Sequence, residues 1–296
     1  MTLKILEQQT ELAKKINTPT FAPQIAQQLK ALHMQWETNK SKRNIKELPF
    51  AKIINERYNE HQQLKLMKYM SRVCEDASIK MLDDEKFAEQ FLENNSFDAV
   101  ILSLDIRRST ELMLKCDSPE IYAEFINILN QELTEAVKNR YGIYDKFTGD
   151  GLLAFFPDFY SDEKAIWYAM LCATDCQQIF STVFDSYKNH FDIGDMQTGI
   201  GVGLDTGNVF KAGEGLEYTV VGKPVVYACR FSAAPAGHIY LTSRAKDLLQ
   251  KTGDNFFAIR ETSIPIKHET DMQAFDVKII QSNSMGELYN SKPSWL

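Results

Sequence analysis

An aspartate flanked by two glycines, lying between two apolar runs, constrains the fold of this chain more than any other feature. The tripeptide Gly149-Asp150-Gly151 separates two strand-like runs, residues 143–148 and 152–156. A glycine-flanked aspartate between such runs is a strong signal for a tight β-hairpin. An earlier apolar run, residues 99–104, ends at Asp105. The sequence therefore predicts three strands in this part of the chain.

Helical periodicity separates these strands and continues after them. Apolar residues recur at helical spacing from Pro119 to Val137, and again over residues 165–184. A glycine-spaced strand is predicted at 198–204. The order β-α-β-β-α-β predicts an α+β fold with a ferredoxin-like sheet and helices on one face. The elements predicted beyond it are a helix near 225–233, a strand at 238–241 and extra C-terminal strands.

The chain also divides by composition. Residues 1–92 are rich in Lys, Gln, Glu and Asn, and broken helical patterns are separated by prolines. They predict a helical N-terminal extension that packs on the following domain or mediates dimer contacts. Residues 93–280 form the predicted main domain. Residues 281–296 read as a polar C-terminal tail in which Trp295 could dock.

Charge and hydropathy exclude several classes of protein. The chain has 33 Lys and Arg against 40 Asp and Glu, a net charge of −7, which disfavours broad electrostatic binding of nucleic acid. No apolar run approaches the roughly 20 residues that span a bilayer, and no secretory signal is visible. We therefore expect a cytoplasmic protein without a membrane segment. The five cysteines fit no zinc or disulfide framework, and buried free thiols are expected.

Two aspartates are expected to meet at one edge of the predicted sheet. Asp105 ends the first strand and Asp150 lies at the hairpin tip, and these strands are neighbours in a ferredoxin-like sheet. Their carboxylates, with the backbone carbonyl of Ile106, offer the oxygen ligands that suit Mg²⁺ or Mn²⁺. The alternative is that Asp105 caps the next helix and Asp150 satisfies the turn.

Basic residues lie near the same positions. Arg107, Arg108 and Ser109 lead into a helix, and a helix N-terminus beside guanidinium groups can hold a phosphate. The alternative is a solvated basic turn with Ser109 or Thr110 as the helix cap. Lys146 lies in a strand that we expect to be half-buried, so it needs a carboxylate or a ligand as partner.

Taken together, these segments resemble the class III nucleotide cyclase catalytic domain. The resemblance covers roughly residues 96–249, and four motifs carry it in order: SLDIRRST at 103–110, YGIYDKFTGDGLLAFF at 141–156, TGIGVGLDTGNVFKAG at 198–213 and EYTVVGKPVVYACRFSAAPAGHIYLT at 217–242.

The resemblance implies a role for each matching residue. Asp105 and Asp150 would bind two divalent cations, Mn²⁺ or Mg²⁺, and Lys146 and Thr219 would face the base of a nucleoside triphosphate. Arg230 would stabilise the charge that develops on the triphosphate when the ribose 3′ oxygen attacks the α-phosphorus. In the family, one site takes these sets from opposite protomers. Because this chain holds both sets, the resemblance implies a head-to-tail homodimer with two equivalent sites.

Departures from the common pattern bear on the substrate. Val226, followed by Tyr227, stands where most members have an asparagine, and Arg108-Ser109 replaces the usual Gly-Phe. Arg108 and Tyr227 are therefore further candidates for substrate contact. These departures resemble the bacterial pyrimidine cyclases of anti-phage Pycsar systems, which make cyclic UMP or cyclic CMP to activate a partner effector.

That resemblance leaves alternatives. It implies UTP, or else CTP, as substrate, with UTP slightly favoured. A Lys146 and Thr219 pair also suits adenine, so an adenylate cyclase remains an alternative, as does a non-catalytic nucleotide-binding regulatory module.

Overall fold

The computed structural model describes residues 58–194, 197–213, 219–253, 256–265, 271–280 and 290–296. Within these residues the chain forms two compact units. One comprises 58–71 and 75–93, and the other comprises 72–74 and the described residues from 94 onward. The predicted helices of residues 1–57 lie outside the described residues.

The first unit is helical. Asn59 accepts a hydrogen bond from the backbone N–H of Gln62, whose side chain bonds back to Asn59, so a capping box begins the first helix. Phe91 packs edge-on against Tyr69 and Phe87, with ring centroids 5.2 and 5.3 Å apart. The helices of this unit are α1 (Glu60–Met70), α2 (Glu75–Asp83) and α3 (Glu85–Glu93).

The second unit alternates strands and helices, in the predicted order. Its strands are β1 (Ser96–Arg107), β2 (Ile143–Phe147), β3 (Gly151–Pro157), β4 (Gly199–Ala212), β5 (Thr219–Val221), β6 (Ile239–Leu241), β7 (Phe257–Ile264) and β8 (Met272–Ile279). Its helices are α4 (Ser109–Leu114), α5 (Pro119–Asn139), α6 (Asp158–Ser161), α7 (Ala165–Tyr187), α8 (Lys223–Phe231) and α9 (Ser243–Gly253).

All eight strands form one sheet. Its order is β2-β3-β1-β4-β6-β8-β7, and β5 pairs with β4 outside this path. The first four strands are antiparallel neighbours in the order that a ferredoxin-like βαββαβ unit requires, and β6, β7 and β8 extend the sheet. The predicted α+β fold with extra C-terminal strands is therefore confirmed.

The main core lies on one face of this sheet. Leu102 and Leu104 of β1 and Val202 of β4 point to the same side, as alternation along a strand requires. They form one buried cluster with Leu129 of α5 and Ala169 of α7. The two long periodic helices thus cover the face predicted for them.

Helix α8 lies on the opposite face, against the prediction of helices on one face only. A Cβ atom added at Gly203 would overlap the carbonyl oxygen of Ala228, and one at Gly201 would overlap that of Ala234. Glycines in β4 therefore allow α8 to lie directly on the backbone of the sheet. This close approach fixes the position of Arg230, which α8 carries.

The C-terminal segment docks through Trp295. Its indole N–H donates to the carbonyl of Tyr160 at 2.7 Å, and the two rings stack with centroids 5.4 Å apart. The rest of the predicted tail, 281–289, lies outside the described residues. Among the described helices, none combines the length and the apolar character needed to cross a bilayer.

Candidate functional site

The edge pair, Asp105 and Asp150, lies where β1 and the β2–β3 hairpin meet. Asp105 is paired with Gly151 in the antiparallel register of β1 and β3, which makes Asp150 its near neighbour. The tight loop is closed by a hydrogen bond of 2.9 Å from the Thr148 N–H to the Gly151 carbonyl. The structure thus brings together the two carboxylates that the sequence pattern placed at one edge.

Both carboxylates of the edge pair contact side chains of the segment that follows Asp105. Arg107, two residues further along β1, forms an ion pair with Asp105, and the Ser109 hydroxyl donates to Asp150. The side chains of Asp105 and Arg107 are 29% and 27% exposed. Ser109 therefore binds Asp150 instead of capping α4, and Asp105 does not serve as that cap, since Arg108 occupies the cap position.

The charge of Asp150 affects the pKa values of two further side chains. Burial lowers the pKa of the Arg107 guanidinium, and the charge of Asp150 opposes this shift. Burial likewise raises the pKa of the Tyr122 phenol, and the charge of Asp150 adds to the increase. The Asp150 carboxylate thus influences side chains on both β1 and α5.

The donor set of the edge pair fits a hard divalent cation. Carboxylate oxygens are the ligands that Mg²⁺ and Mn²⁺ prefer. In the part of the chain that the structure describes, no three His, Cys, Asp or Glu side chains cluster as a metal site. A cation held here would thus take its remaining ligands from backbone carbonyls, water or a bound phosphate.

Arg108 occupies the turn between β1 and α4. Its backbone is left-handed, with φ of 64°, and its Nε donates to Glu111 at 2.8 Å. Its side chain is 49% exposed. The role of this turn as a phosphate cradle remains a prediction.

Lys146 is exposed, against the expectation that it would be half-buried. The register of β2 against β3 shifts between Tyr144 and Lys146, which leaves Asp145 as an extra residue in the strand. Such a bulge changes which side chain faces inward. It turns the Asp145 side chain into the interior, where only 1% of it is exposed.

Asp145 is the centre of what we call the bulge cluster: Arg72, Asp145 and Thr219. Arg72 Nη1 lies 3.3 Å from Asp145 Oδ1, and the Thr219 hydroxyl donates to Asp145 Oδ2. The Arg72 carbonyl accepts from the Tyr144 N–H at 3.1 Å, and the Arg72 guanidinium lies 6.0 Å from the centre of the Tyr144 ring. By bonding to Asp145, Thr219 thus contacts the strand that carries Lys146.

A third group, the Tyr227 cluster, comprises Tyr227, Arg230 and Arg244. The guanidinium carbons of Arg230 and Arg244 lie 5.9 and 5.8 Å from the centre of the Tyr227 ring. Arg244 is fixed in turn by Asp205, 2.5 Å away and fully buried. Burial raises the pKa of the Asp205 carboxyl, while Thr242 and Arg244 oppose that shift.

Sequence reasoning missed three members of these groups. Asp145 stands next to Lys146, but only the bulge makes it the buried residue. Arg72 lies in a segment where no chemistry was visible. Arg244 follows the last motif, and nothing in the local pattern pairs it with Tyr227.

Solved structures of similar fold include two nucleotide cyclases. The adenylyl cyclase CyaB from P. aeruginosa matches with a TM-score of 0.54 and 22% identity, over 64% of this chain and 96% of that one. The guanylyl cyclase Cya2 matches with a TM-score of 0.53 and 22% identity, over 64% and 95% of the two chains. The chain has the fold of these two cyclases. No family model and no curated protein sequence matches it significantly.

The cyclase fold extends beyond the motifs that predicted it. The matched 64% of the chain exceeds the half covered by residues 96–249. The predicted cyclase fold is thereby confirmed.

Proposed function

We propose that this protein is a nucleotide cyclase that converts a nucleoside triphosphate into a 3′,5′-cyclic nucleotide and pyrophosphate. The observation that carries the proposal is the edge pair: on a fold shared with two cyclases, Asp105 and Asp150 lie together at one edge of the sheet. Two adjacent carboxylates suit a reaction in which anionic phosphate oxygens must be neutralised.

Asp105 and Asp150, with the backbone carbonyl of Ile106, would hold two divalent cations, Mn²⁺ or Mg²⁺. Bound there, the cations would lower the pKa of the ribose 3′-hydroxyl and neutralise charge on the α-phosphate and pyrophosphate. The present partners of the edge pair are the Arg107 and Ser109 side chains, and neither contact is part of the backbone pairing of the sheet. Exchanging them for a cation therefore requires no change in the sheet.

The other residues bind and orient the nucleotide. Lys146 is exposed and carries three N–H donors, so it can bind an acceptor atom of the base. Arg230 stabilises charge at the α-phosphate, and the Tyr227 ring limits the orientations of its guanidinium. Arg108 and Tyr227 contribute further contacts to the substrate.

A head-to-tail homodimer completes the site in this proposal. Exposed apolar side chains lie near both sets of residues, on α4, on the β4–β5 arm and on α8. They are Met113, Leu114, Phe210, Val221 and Val226, which are 44% to 75% exposed. A second protein that covers these elements would remove this apolar surface from water. A second copy of this chain would bring one edge pair opposite one Tyr227 cluster.

The proposed substrate is a pyrimidine nucleotide, with UTP preferred over CTP. The cyclic product would be a messenger for bacterial antiviral defence that acts on a cyclic-nucleotide-responsive effector. Val226 supports this choice, because its exposed apolar side chain stands where most cyclases have asparagine, a departure in which the chain resembles the pyrimidine cyclases. The second candidate is an adenylate cyclase, which the Lys146 and Thr219 pair favours.

The test is to incubate the purified chain with Mn²⁺ and each of ATP, GTP, CTP and UTP, and to identify products by chromatography and mass. We expect cyclic UMP or cyclic CMP from the native chain and none from Asp105→Ala. Cyclic AMP alone would overturn the pyrimidine proposal and keep the cyclase. Nucleotide binding without any cyclic product would instead support a non-catalytic regulatory module.

A further inference from the structure

The buried carboxylate of Asp145 contacts Thr219 and adjoins Lys146, the two residues expected to recognise the base. Asp145 is 1% exposed and accepts a hydrogen bond from Thr219, while its neighbour Lys146 is exposed. Asp145 is therefore too deeply buried to be a substrate ligand itself. Its position indicates that it acts through Thr219.

The partners of Asp145 determine the direction of each hydrogen bond. Arg72 has only donors, and its charge compensates a buried carboxylate anion 3.3 Å away. A carboxylate anion has only acceptors, so the Thr219 hydroxyl must donate its one proton to Asp145. Thr219 then presents only lone pairs to a ligand.

Arg72 is well placed to keep this arrangement fixed. Its side chain is 16% exposed and contacts the Asp145 carboxylate and the Tyr144 ring, while its backbone carbonyl accepts from the Tyr144 N–H. A fixed guanidinium limits the rotamers of Asp145, which in turn limits those of Thr219. The hydroxyl lone pairs of Thr219 therefore have a defined direction.

We propose that Asp145 is a positioning residue that sets base specificity by making Thr219 an obligate hydrogen-bond acceptor. This inference rests on the proposed function and on the expectation that Thr219, together with Lys146, faces the base. Thr219 would accept from an N–H of the base, and Lys146 would donate to an adjacent ring nitrogen or carbonyl oxygen. A base is then selected by how its N–H and its acceptor are spaced.

The test compares nucleotide selectivity in Asp145→Asn, Thr219→Val and the double variant. An asparagine at 145 can donate to the Thr219 oxygen, which frees the hydroxyl proton and removes the fixed polarity. Dissociation constants are measured for the 3′-deoxy forms of all four nucleoside triphosphates, which lack the attacking hydroxyl and cannot be cyclised. Product formation from the ordinary triphosphates is measured in parallel.

We expect each single variant to reduce the affinity ratio between the preferred and the next nucleotide by about fivefold, the effect of one lost hydrogen bond. The double variant should be no less selective than Thr219→Val, because Asp145 acts through Thr219. Unchanged selectivity in Asp145→Asn, or additive losses in the double variant, would overturn the inference. So would equal binding of all four nucleotides by the native chain.

Two controls separate positioning from folding. Asp276→Asn alters another buried carboxylate, 5% exposed and 2.7 Å from Arg260 on β7, and should leave the affinity ratio unchanged. Thermal unfolding reports whether each variant folds. If Asp145→Asn does not fold, Arg72→Gln replaces it. This variant should also lower the affinity ratio between nucleotides, and it should cause no further loss when Thr219→Val is already present. An unchanged affinity ratio in Arg72→Gln would overturn the inference.

The two measurements also separate this inference from the proposed function. A native chain that binds one 3′-deoxy nucleotide selectively but forms no cyclic product overturns the cyclase alone. The binding ratios then still decide the role of Asp145.

Discussion

The edge pair and the bulge cluster both contain aspartates in the same part of the sheet, but Asp105 of the first and Asp145 of the second are held in opposite ways. Asp105 is 29% exposed, and its partner Arg107 is two residues away. Asp145 is 1% exposed, and its partners Arg72 and Thr219 are 73 and 74 residues away.

This contrast indicates different uses for the same side chain. A partly hydrated ion pair contributes little to stability and is easily exchanged for another cation. Breaking a buried pair leaves an uncompensated charge and is costly, so such a pair keeps its geometry. We therefore expect the edge pair to exchange partners during function and the bulge cluster to remain fixed.

The largest effect is expected from Asp150→Asn. The change removes one anionic ligand from the edge pair and should lower cyclase activity by about 100-fold or more. Product formation measures the loss, while the thermal midpoint should stay near that of the native chain. Asp98→Asn, at the other end of β1, is the control and should keep its activity; equal losses in both would show that the edge pair has no special role.

A somewhat smaller effect is expected from Gly203→Ala. The added methyl group would overlap the backbone of α8 and should lower the free energy of unfolding by about 2 kcal/mol. Activity should also fall, since α8 carries Arg230, although the edge pair is untouched. Gly199→Ala places its Cβ 3.0 Å from that of Ala236 and should cost less. Chemical denaturation of both variants checks the order, and the reverse order would contradict the packing described for α8.

Arg107→Gln should change the affinity of the protein for divalent cations, whereas Arg72→Gln should not. Removing the positive charge beside Asp105 should strengthen Mn²⁺ binding by about threefold to fivefold. Titration of nucleotide-free protein followed by electron paramagnetic resonance measures this affinity. The distinction between exchangeable and fixed pairs would fail if Arg72→Gln produced the same increase.

The smallest effect concerns the phenol of Tyr122. The charge of Asp150 contributes to its raised pKa, so Asp150→Asn should lower that pKa. It should remain above the ordinary value, because burial is the larger cause. Absorbance titration at alkaline pH, with Tyr122→Phe subtracted to isolate one phenol, gives the pKa. A pKa that does not move would show that the charge of Asp150 does not act on Tyr122.

The sequence predicted those features that depend on neighbours along the chain. The hairpin at Asp150 and the strand before Asp105 are local patterns, and the βαββαβ order makes those strands adjacent; hence the edge pair was foreseeable. The bulge at Asp145 was not, because a one-residue shift in register leaves no mark in the apolar pattern. Arg72 and Arg244 were missed because tertiary packing alone pairs them with Asp145 and Tyr227.

The central claim is that the edge pair of one copy and the Tyr227 cluster of another serve a single reaction. It is tested most directly by mixing Asp150→Asn protein with Arg230→Ala protein, each inactive alone, and measuring cyclic nucleotide after subunit exchange. Random pairing makes half of the dimers mixed, and each mixed dimer holds one intact site, so about a quarter of the native activity should return. A mixture that stays inactive, although exchange is verified, would contradict the claim.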